Sequence, residues 1–327
     1  MKLSIVTTLF RSSVNLVEFY NRTMRVAAAV TSDIELVMVN DGSPDDSLEI
    51  ALRLQRQDPR IVVVDLSRNF GHYKAIMTGL SYATGDLIFL IDSDLEEKPE
   101  DLELFYQRFA QGDCDVVYGV QQARRGALAE RVGGAIFFAL VDALADRPLP
   151  RNLVTARLMT ADYVKALVRH RDREFVISDL WQVAGFRQNK IVVEKLSHAA
   201  STYSLWKRID LAVRYLTTAS TRLLYVIFYA GLLIFSLSVG LIIYYIGRYF
   251  TAGVGVSGYT SQIVSIWFLG GLITLILGIL GIYMANILAE TKRRPYTVVR
   301  RVHRAEIAAP ALALAETASR ADTGIQR

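Results

Sequence analysis

The sequence predicts an α/β domain with a mostly parallel sheet and helices on both faces, followed by two apolar helices long enough to span a membrane. Three observations carry this expectation. Up to Tyr118, short runs of Val, Ile and Leu alternate with amphipathic stretches, the rhythm of strands and helices in βαβ units. The apolar run Leu87 to Ile91 reads as a buried strand, and Asp92, Asp94 and Glu96 follow it at once. Acidic oxygens then sit at the carboxyl end of a strand, where open α/β sheets bind ligands. Finally, Leu223 to Ile246 and Ile263 to Ala289 contain no charged residue, and each is long enough for a hydrocarbon core of roughly 30 Å at about 1.5 Å per residue. The 327-residue chain is 52% hydrophobic, which leaves room for one such domain plus spanning segments.

In order, the expected strands are Leu3 to Thr8, Ile34 to Asn40, Ile61 to Leu66, Leu87 to Ile91 and Val116 to Tyr118. Each is a short run rich in Val, Ile and Leu. Helical patterns fall between them at Val14 to Val30, Ser47 to Gln57, Lys74 to Tyr82 and Pro99 to Gln111. Asn40-Asp41-Gly42-Ser43-Pro44 closes the second strand, with Ser43 expected as a helix cap and Pro44 at the first helical position. A capped turn accounts for this run by itself. A functional role is favoured because Asp41 and the Asp92 cluster are expected to leave adjacent parallel strands at one edge.

Residues 1–200 form the expected cytoplasmic domain, within which 127–145 mixes Ile136, Phe137, Phe138, Leu140 and Val141 with Glu130, Arg131 and Asp142. That stretch suits either a membrane-surface helix or core packing. Residues 201–222 form an amphipathic juxtamembrane segment with Trp206 beside Lys207 and Arg208. Spanning helices are expected at 223–246 and 263–289, and 290–327 as a basic cytoplasmic tail. Lys207, Arg208, Arg214 and Arg222 precede the pair, Lys292, Arg293, Arg294, Arg300 and Arg301 follow it, and the connection from Gly247 to Gln262 holds only Arg248. The positive-inside rule then puts both ends in the cytosol. The expected location is the inner (plasma) membrane, multi-pass, with a cytoplasmic catalytic domain, since no apolar signal precedes the first strand. A single cysteine, Cys114, fits a reducing compartment.

Charge and histidine content exclude two classes. The net charge of +5 gathers beside the apolar segments, which suits anionic lipid headgroups and not nucleic acid. His72, His170, His198 and His303 have no zinc-ligand spacing. Gly253-Val254-Gly255-Val256-Ser257-Gly258 matches the glycine spacing of a dinucleotide fingerprint, but it lies between two apolar helices and not in a βαβ unit. It reads as a loop.

Carboxylates one residue apart at a strand exit repel each other unless a cation lies between them. Their hard oxygens suit Mg²⁺ or Mn²⁺ on a nucleotide diphosphate. The alternative is a solvated acidic turn.

Together, Asn40-Asp41-Gly42-Ser43, Arg68-Asn69-Phe70-Gly71, Ile91-Asp92-Ser93-Asp94-Leu95-Glu96 and the two C-terminal apolar helices resemble a family 2 glycosyltransferase of the polyprenyl-phosphate type. Similar enzymes include dolichol-phosphate mannose synthases and undecaprenyl-phosphate glucosyl and aminoarabinose transferases. The resemblance covers about residues 2 to 300. It implies a GT-A fold, a nucleotide-sugar donor (a UDP-sugar, with GDP open), an inverting reaction, a divalent metal and a polyprenyl-phosphate acceptor. It implies nucleotide-sugar binding by Phe10, Asp41, Arg68, Lys74 and Asp92, metal ligation by Asp92, Asp94 and Glu96, and diphosphate or acceptor contact by Arg157 in Ala156-Arg157-Leu158-Met159. Solvated cations are the rival reading for Lys74 and Arg68, and a structural salt bridge for Arg157.

Several positions depart from that pattern. Thr8-Leu9-Phe10-Arg11-Ser12 replaces Pro-x-Tyr-Asn-Glu at the first strand exit. Asn40 stands for the first Asp of an Asp-Asp pair, and Glu96 for a Gln. Thr155 occupies a slot where many relatives carry an acidic residue. Asp179 in Ser178-Asp179-Leu180-Trp181 is then the candidate base, with helix capping as the alternative. Ala199-Ala200-Ser201-Thr202-Tyr203-Ser204 resembles Gly-x-Ser-Lys-Tyr-Ser, and Lys195, His198 and Arg208 are the candidate acceptor-phosphate ligands. Homo-oligomerisation stays open. A polysaccharide or glycolipid synthase of the same fold would need more spanning helices and a Gln-x-x-Arg-Trp motif. A non-catalytic scaffold would not need Asp92, Asp94 and Glu96.

Overall fold

The computed structural model describes residues 1–121, 152–170, 172–173, 175–195, 222–252, 259–292 and 294–305. The surface-helix segment 127–145, His198, Tyr203, Trp206, Lys207, Arg208, the loop 253–258 and the tail beyond 305 lie outside them.

The chain divides into two compact units. The first comprises Met1–Ala110, Thr155–Ala161 and Thr297–Arg327. It contains β1 (Leu3–Leu9), α1 (Leu16–Val30), β2 (Ile34–Asn40), α2 (Ser47–Gln57), β3 (Ile61–Leu66), α3 (His72–Tyr82), β4 (Leu87–Leu90) and α4 (Asp101–Phe109). The second unit contributes β5 (Val116–Gln121), and β6 (Leu153–Thr160) returns to the first.

In the first unit the strands run in the order β6-β4-β1-β2-β3, closed at the far edge by β8 (Val299–His303). β1 pairs in parallel with both β2 and β4, and β2 in parallel with β3. Every residue of β1, β2, β3 and β4 is buried, as a sheet covered on both faces requires, so these strands read as continuous apolar runs. Helix α3 packs on β1 and β2. A Cβ at Gly79 of α3 would meet Val6 Cγ1 at 2.6 Å and Val39 Cγ2 at 2.8 Å, so only glycine lets the helix approach this closely.

β6 and β8 run antiparallel to β4 and β3, so the sheet is mixed around the expected parallel centre of β4, β1, β2 and β3. Two expectations need correction. β2 and β4 are not neighbours, because β1 lies between them; Asp41 and Asp92 leave strands that flank β1. And 290–327 is not simply a tail, since Val299–His303 completes the sheet edge beside β3. Its charged residues hide the strand from a hydrophobic-run reading, while charge is a common way to protect a sheet edge.

The second unit comprises Gln111–Val154 and Asp162–Tyr296. β5 pairs in parallel with β7 (Gln188–Val193). The unit contains most of α5 (Ala161–Val168), together with α6 (Ile177–Val183), α7 (Arg222–Ala252) and α8 (Tyr259–Thr291). Tyr163 of α5 is fully buried, donates its hydroxyl to the Trp181 carbonyl at 3.1 Å and meets Phe186 edge to face. Within α8, Leu269–Thr291 is long and apolar enough to cross a membrane, with a mean hydropathy of 2.3 and none of its most apolar stretch buried by protein. Leu224–Ile234 of α7 is a shorter apolar stretch. At the end of α8, Glu290 accepts the Arg173 backbone N–H at 2.6 Å, the Arg173 guanidinium donates to the Arg294 carbonyl, and Tyr296 meets the Phe175 ring.

Candidate active site

The site forms at the carboxyl edge of the first unit's sheet, where the ends of β1, β2, β3, β4 and the start of β6 supply its residues. After β2, Asp41 is 2% exposed. Its two carboxylate oxygens accept the backbone N–H groups of Phe70 and Gly71 at 2.7 and 3.0 Å, fastening the Arg68–Gly71 loop. Burial pushes the Asp41 carboxyl up from its ordinary value, opposed by those two N–H groups and by His72 and Arg68. Gly42 must be glycine: its φ is +58° and a Cβ would lie 2.4 Å from Asn69 N. Arg68 stacks over Phe70 at 4.1 Å and donates to the Asn69 carbonyl.

Helix α2 spans Ser47–Gln57 as expected, but the turn before it does not start it. Ser43 does not cap it; its hydroxyl accepts Arg11 N–H at 2.7 Å and donates to Asp45 at 2.5 Å. Asp45 also takes the Ser47 hydroxyl and the Ser13 N–H. Burial opposes its charge, but the hydrogen bonds from Ser43, Ser47 and Ser13 win and hold the carboxyl well below the usual carboxylate range. Asp45 thereby ties the β1 exit to the β2 exit. Phe10, 46% exposed, stands at that mouth with Arg11 5.7 Å above its ring.

A second chain of contacts runs across β1, β4 and β6. His72, the first residue of α3, meets Thr8 Oγ1 with Nδ1 at 3.1 Å and Asp92 Oδ1 with Nε2 at 3.5 Å. Thr155 donates to the other Asp92 oxygen at 2.7 Å. The departure at Thr155 thus has a physical role, because a carboxylate in its place would face Asp92. Glu97, 3% exposed, accepts the backbone N–H groups of Thr155 and Ala156 at 2.8 and 2.9 Å and fixes the start of β6.

The acidic turn differs from a three-carboxylate cage. Among the described residues no group of three His, Cys, Asp or Glu side chains is placed to hold a metal ion. The reason is local: Asp92 turns towards Thr155 and His72, while Asp94 Oδ1 accepts Glu96 N–H at 2.9 Å across Leu95, whose φ is +62°. Asp94 itself is exposed. A divalent ion at this turn would have to be held jointly by protein and ligand, as Mg²⁺ is when it takes one or two carboxylates plus substrate phosphates.

The remaining expected residues fall as follows. Arg157 is 1% exposed on β6, opposite Leu90, the last residue of β4, and its Nε donates to the Thr155 carbonyl at 3.4 Å. Lys74 is half-buried in α3. Asp179 stands in the first turn of α6 and Lys195 just after β7, both in the second unit. The sequence reading missed His72, Thr155 and Glu97 as site-building residues. Glu97 had a local signal beside the acidic turn, and Thr155 had one as a departure from the family pattern; His72 had none.

Residues 4–167 match the Glycosyl transferase family 2, which is half of the chain. A Mycobacterium tuberculosis (strain CDC 1551 / Oshkosh) protein grouped by name with the glycosyltransferases is 44% identical over 308 residues, 94% of this chain and 90% of its own. The uncharacterized glycosyltransferase YkcC of Bacillus subtilis (strain 168) is 32% identical over 304 residues, 91% of this chain and 93% of its own. The prophage bactoprenol glucosyl transferase homolog of Escherichia coli (strain K12) is 29% identical over 306 residues, 92% of this chain and 99% of its own. The chain belongs to glycosyl transferase family 2. It is a glycosyltransferase with a GT-A-like mixed sheet.

Proposed function

We propose that this enzyme moves a single sugar from a nucleotide-sugar donor, a UDP-sugar, to polyprenyl phosphate at the cytoplasmic face of the plasma membrane, with inversion. The observation that carries the reading is the union, in one chain, of a family 2 domain with an apolar helix that protein does not cover. A helix that is hydrophobic all round must be buried by something, and lipid suits an acceptor that is itself a lipid. Similarity to a bactoprenol glucosyl transferase homolog along nearly its whole length supports the same acceptor.

Topology supports a two-helix hairpin. The residues before α7 and after α8 both supply strands to the first unit's sheet, β1 to β4 on one side and β8 on the other. A chain that leaves and re-enters the same domain crosses a membrane an even number of times, so a crossing by α8 would be matched by one in α7. A cysteine at Ser257, between them, then reacts with an impermeant thiol reagent on intact cells; labelling only after permeabilisation contradicts the hairpin orientation.

At the sheet edge, the loop held by Asp41 together with Phe10 and Arg68 cradles the nucleotide, and Lys74 faces its phosphates. Asp94, assisted by Glu96, would hold a divalent ion such as Mg²⁺ or Mn²⁺ together with the donor's diphosphate, and the ion would supply charge neutralisation at the leaving group. Asp92, fixed by Thr155 and His72, orients the donor ribose side. The acceptor phosphate, with a second pKa near 6, is already largely ionised at neutral pH. Positioning therefore supplies most of what a base would, and Asp179 is the carboxylate available if one is needed. Lys195, His198 and Arg208 are the cations proposed to receive the lipid phosphate. Membranes containing the enzyme, incubated with radiolabelled UDP- and GDP-sugars and undecaprenyl phosphate, yield label in the organic phase with one donor. Label confined to the aqueous phase with all donors contradicts the reading.

A further inference from the structure

We propose that Arg300, on the strand that follows the apolar helices, is a positioning residue of the nucleotide-sugar site: it braces the donor loop from the far side of the sheet. The inference rests on the loop's proposed role as the nucleotide cradle. The Arg68–Gly71 loop joins β3 to α3, and residues 297 to 304 grip both of those elements. Ser67, immediately before the loop, is held twice, since its N–H donates to the Val298 carbonyl at 2.9 Å and its carbonyl accepts the Arg300 guanidinium at 2.8 Å. After the loop, Thr297 meets Thr78 of α3 at 2.8 Å, and Arg304 lies over the ring of Tyr82 at the end of that helix.

Charge makes Arg300 more than an edge filler. Asp65, the β3 residue at the register irregularity, is 4% exposed. One of its oxygens accepts the Asn40 side-chain amide at 2.8 Å, and the other lies 3.8 Å from the Arg300 guanidinium. Asn40 in turn accepts Ser43 N–H at 3.2 Å, and Ser43 accepts Arg11 N–H. A continuous polar path thus runs from β8 through β3 and β2 to the exit of β1, passing beneath Asp41, which holds the loop from the other side. The Arg300 side chain is itself 62% exposed, so its pairing with Asp65 adds little stability; its removal instead frees the Ser67 carbonyl and the second Asp65 oxygen, and with them the position of the Asn40–Ser43 turn and the neighbouring loop. The strand that returns from the membrane is therefore part of the donor site.

The test uses the full chain in neutral detergent with Mn²⁺, titrated calorimetrically with UDP and then with GDP, and then assayed with the matching nucleotide sugar and undecaprenyl phosphate. Arg300→Ala is expected to weaken nucleotide binding and raise the donor KM by about tenfold, the size of one lost hydrogen bond to a charged group. The acceptor KM and the melting temperature stay within error. Arg300→Lys recovers part of the affinity, because it keeps the charge near Asp65 but loses the planar fork. Arg301→Ala, which removes the same charge from the next residue, changes nothing. Equal effects of Arg300→Ala and Arg301→Ala reveal general electrostatic attraction and overturn the proposal, as does unchanged nucleotide binding in Arg300→Ala. Gly42→Ala, which pushes a Cβ into the loop backbone, separates the two claims. If it spares nucleotide binding, the loop is not the cradle and the underlying reading fails; if it abolishes binding while Arg300→Ala does not, only the brace fails.

Discussion

The sheet of the first unit and the helix α8 of the second are both built from Val, Ile, Leu and aromatic residues, yet they treat them in opposite ways. Leu3, Ile5, Val37, Met38, Val63 and Phe89 have no exposed surface at all. Leu277 is 61% exposed and Ile273 57%. Protein packing against protein accounts for the first set, at roughly 25 cal/mol per Å² removed from water. The second set is left largely uncovered by its own chain, and the proposed membrane placement would surround it with hydrocarbon. Under the proposed function one composition serves two solvents. The chemistry sits in the water-facing region, with the polar groups Asp41, Asp92 and Asp94 placed where the buried strands end.

That division can be broken in several ways. The largest effect is expected from Asp94→Asn, which removes the exposed carboxylate at the β4 exit. Transfer should fall at least about a hundredfold, matching several kcal/mol of lost leaving-group stabilisation, while membrane extraction and melting behaviour stay unchanged. Activity near that of the unaltered enzyme, or activity that survives excess chelator, would remove the metal from the account.

Paired truncations sharpen the contrast next. Phe89→Ala, in the sheet interior against Phe105, should cost about 3 to 5 kcal/mol of stability, as buried aromatic truncations do. Leu277→Ala on α8 should leave the melting transition in place. Leu277→Arg should instead cost roughly 3 kcal/mol at insertion and shift protein out of the membrane fraction. Equal destabilisation by the two alanine variants would mean that α8 packs against protein.

The smallest effect concerns pH. Asp45 is held below the usual carboxylate range by Ser43, Ser47 and Ser13 despite the opposing effect of burial. The unfolded chain binds a proton there more readily than the folded one, so this group's contribution is present above the ordinary aspartate pKa and is lost as pH falls towards its folded value. Asp41 acts in the opposite sense: burial raises its pKa, so its contribution diminishes as pH rises through the carboxylate range. Melting curves from pH 3 to 7 should therefore show Asp45→Asn destabilised at pH 7, with the gap from the parent protein starting to narrow below the ordinary aspartate pKa. A constant difference across that range would assign its effect to geometry and not to charge.

Much of this was legible in the residues. β1 to β4 announced themselves because strands buried on both faces are uninterrupted apolar runs, and the turns Asn40 to Pro44 and Asp92 to Glu96 stood out as polar exits. β6 and β8 did not, because Arg157 interrupts one while Arg300 and Arg301 dominate the other. The carboxylates of the acidic turn were read as a single cluster, since spacing alone does not tell that Thr155 and His72 draw Asp92 aside. Those partners are distant in sequence and meet only in the folded sheet. Asp41 was found by its place after a strand, but its grip on Phe70 and Gly71 is a tertiary fact.

The central claim is that an ionised lipid phosphate accepts the sugar. Purified enzyme in liposomes, given labelled donor and either undecaprenyl phosphate or undecaprenol, tests it most directly. The account predicts one sugar per lipid on the phosphate and none on the alcohol, with Asp94→Asn inactive on both. Equal transfer to undecaprenol, or sugar chains growing without any polyprenyl phosphate, would contradict it.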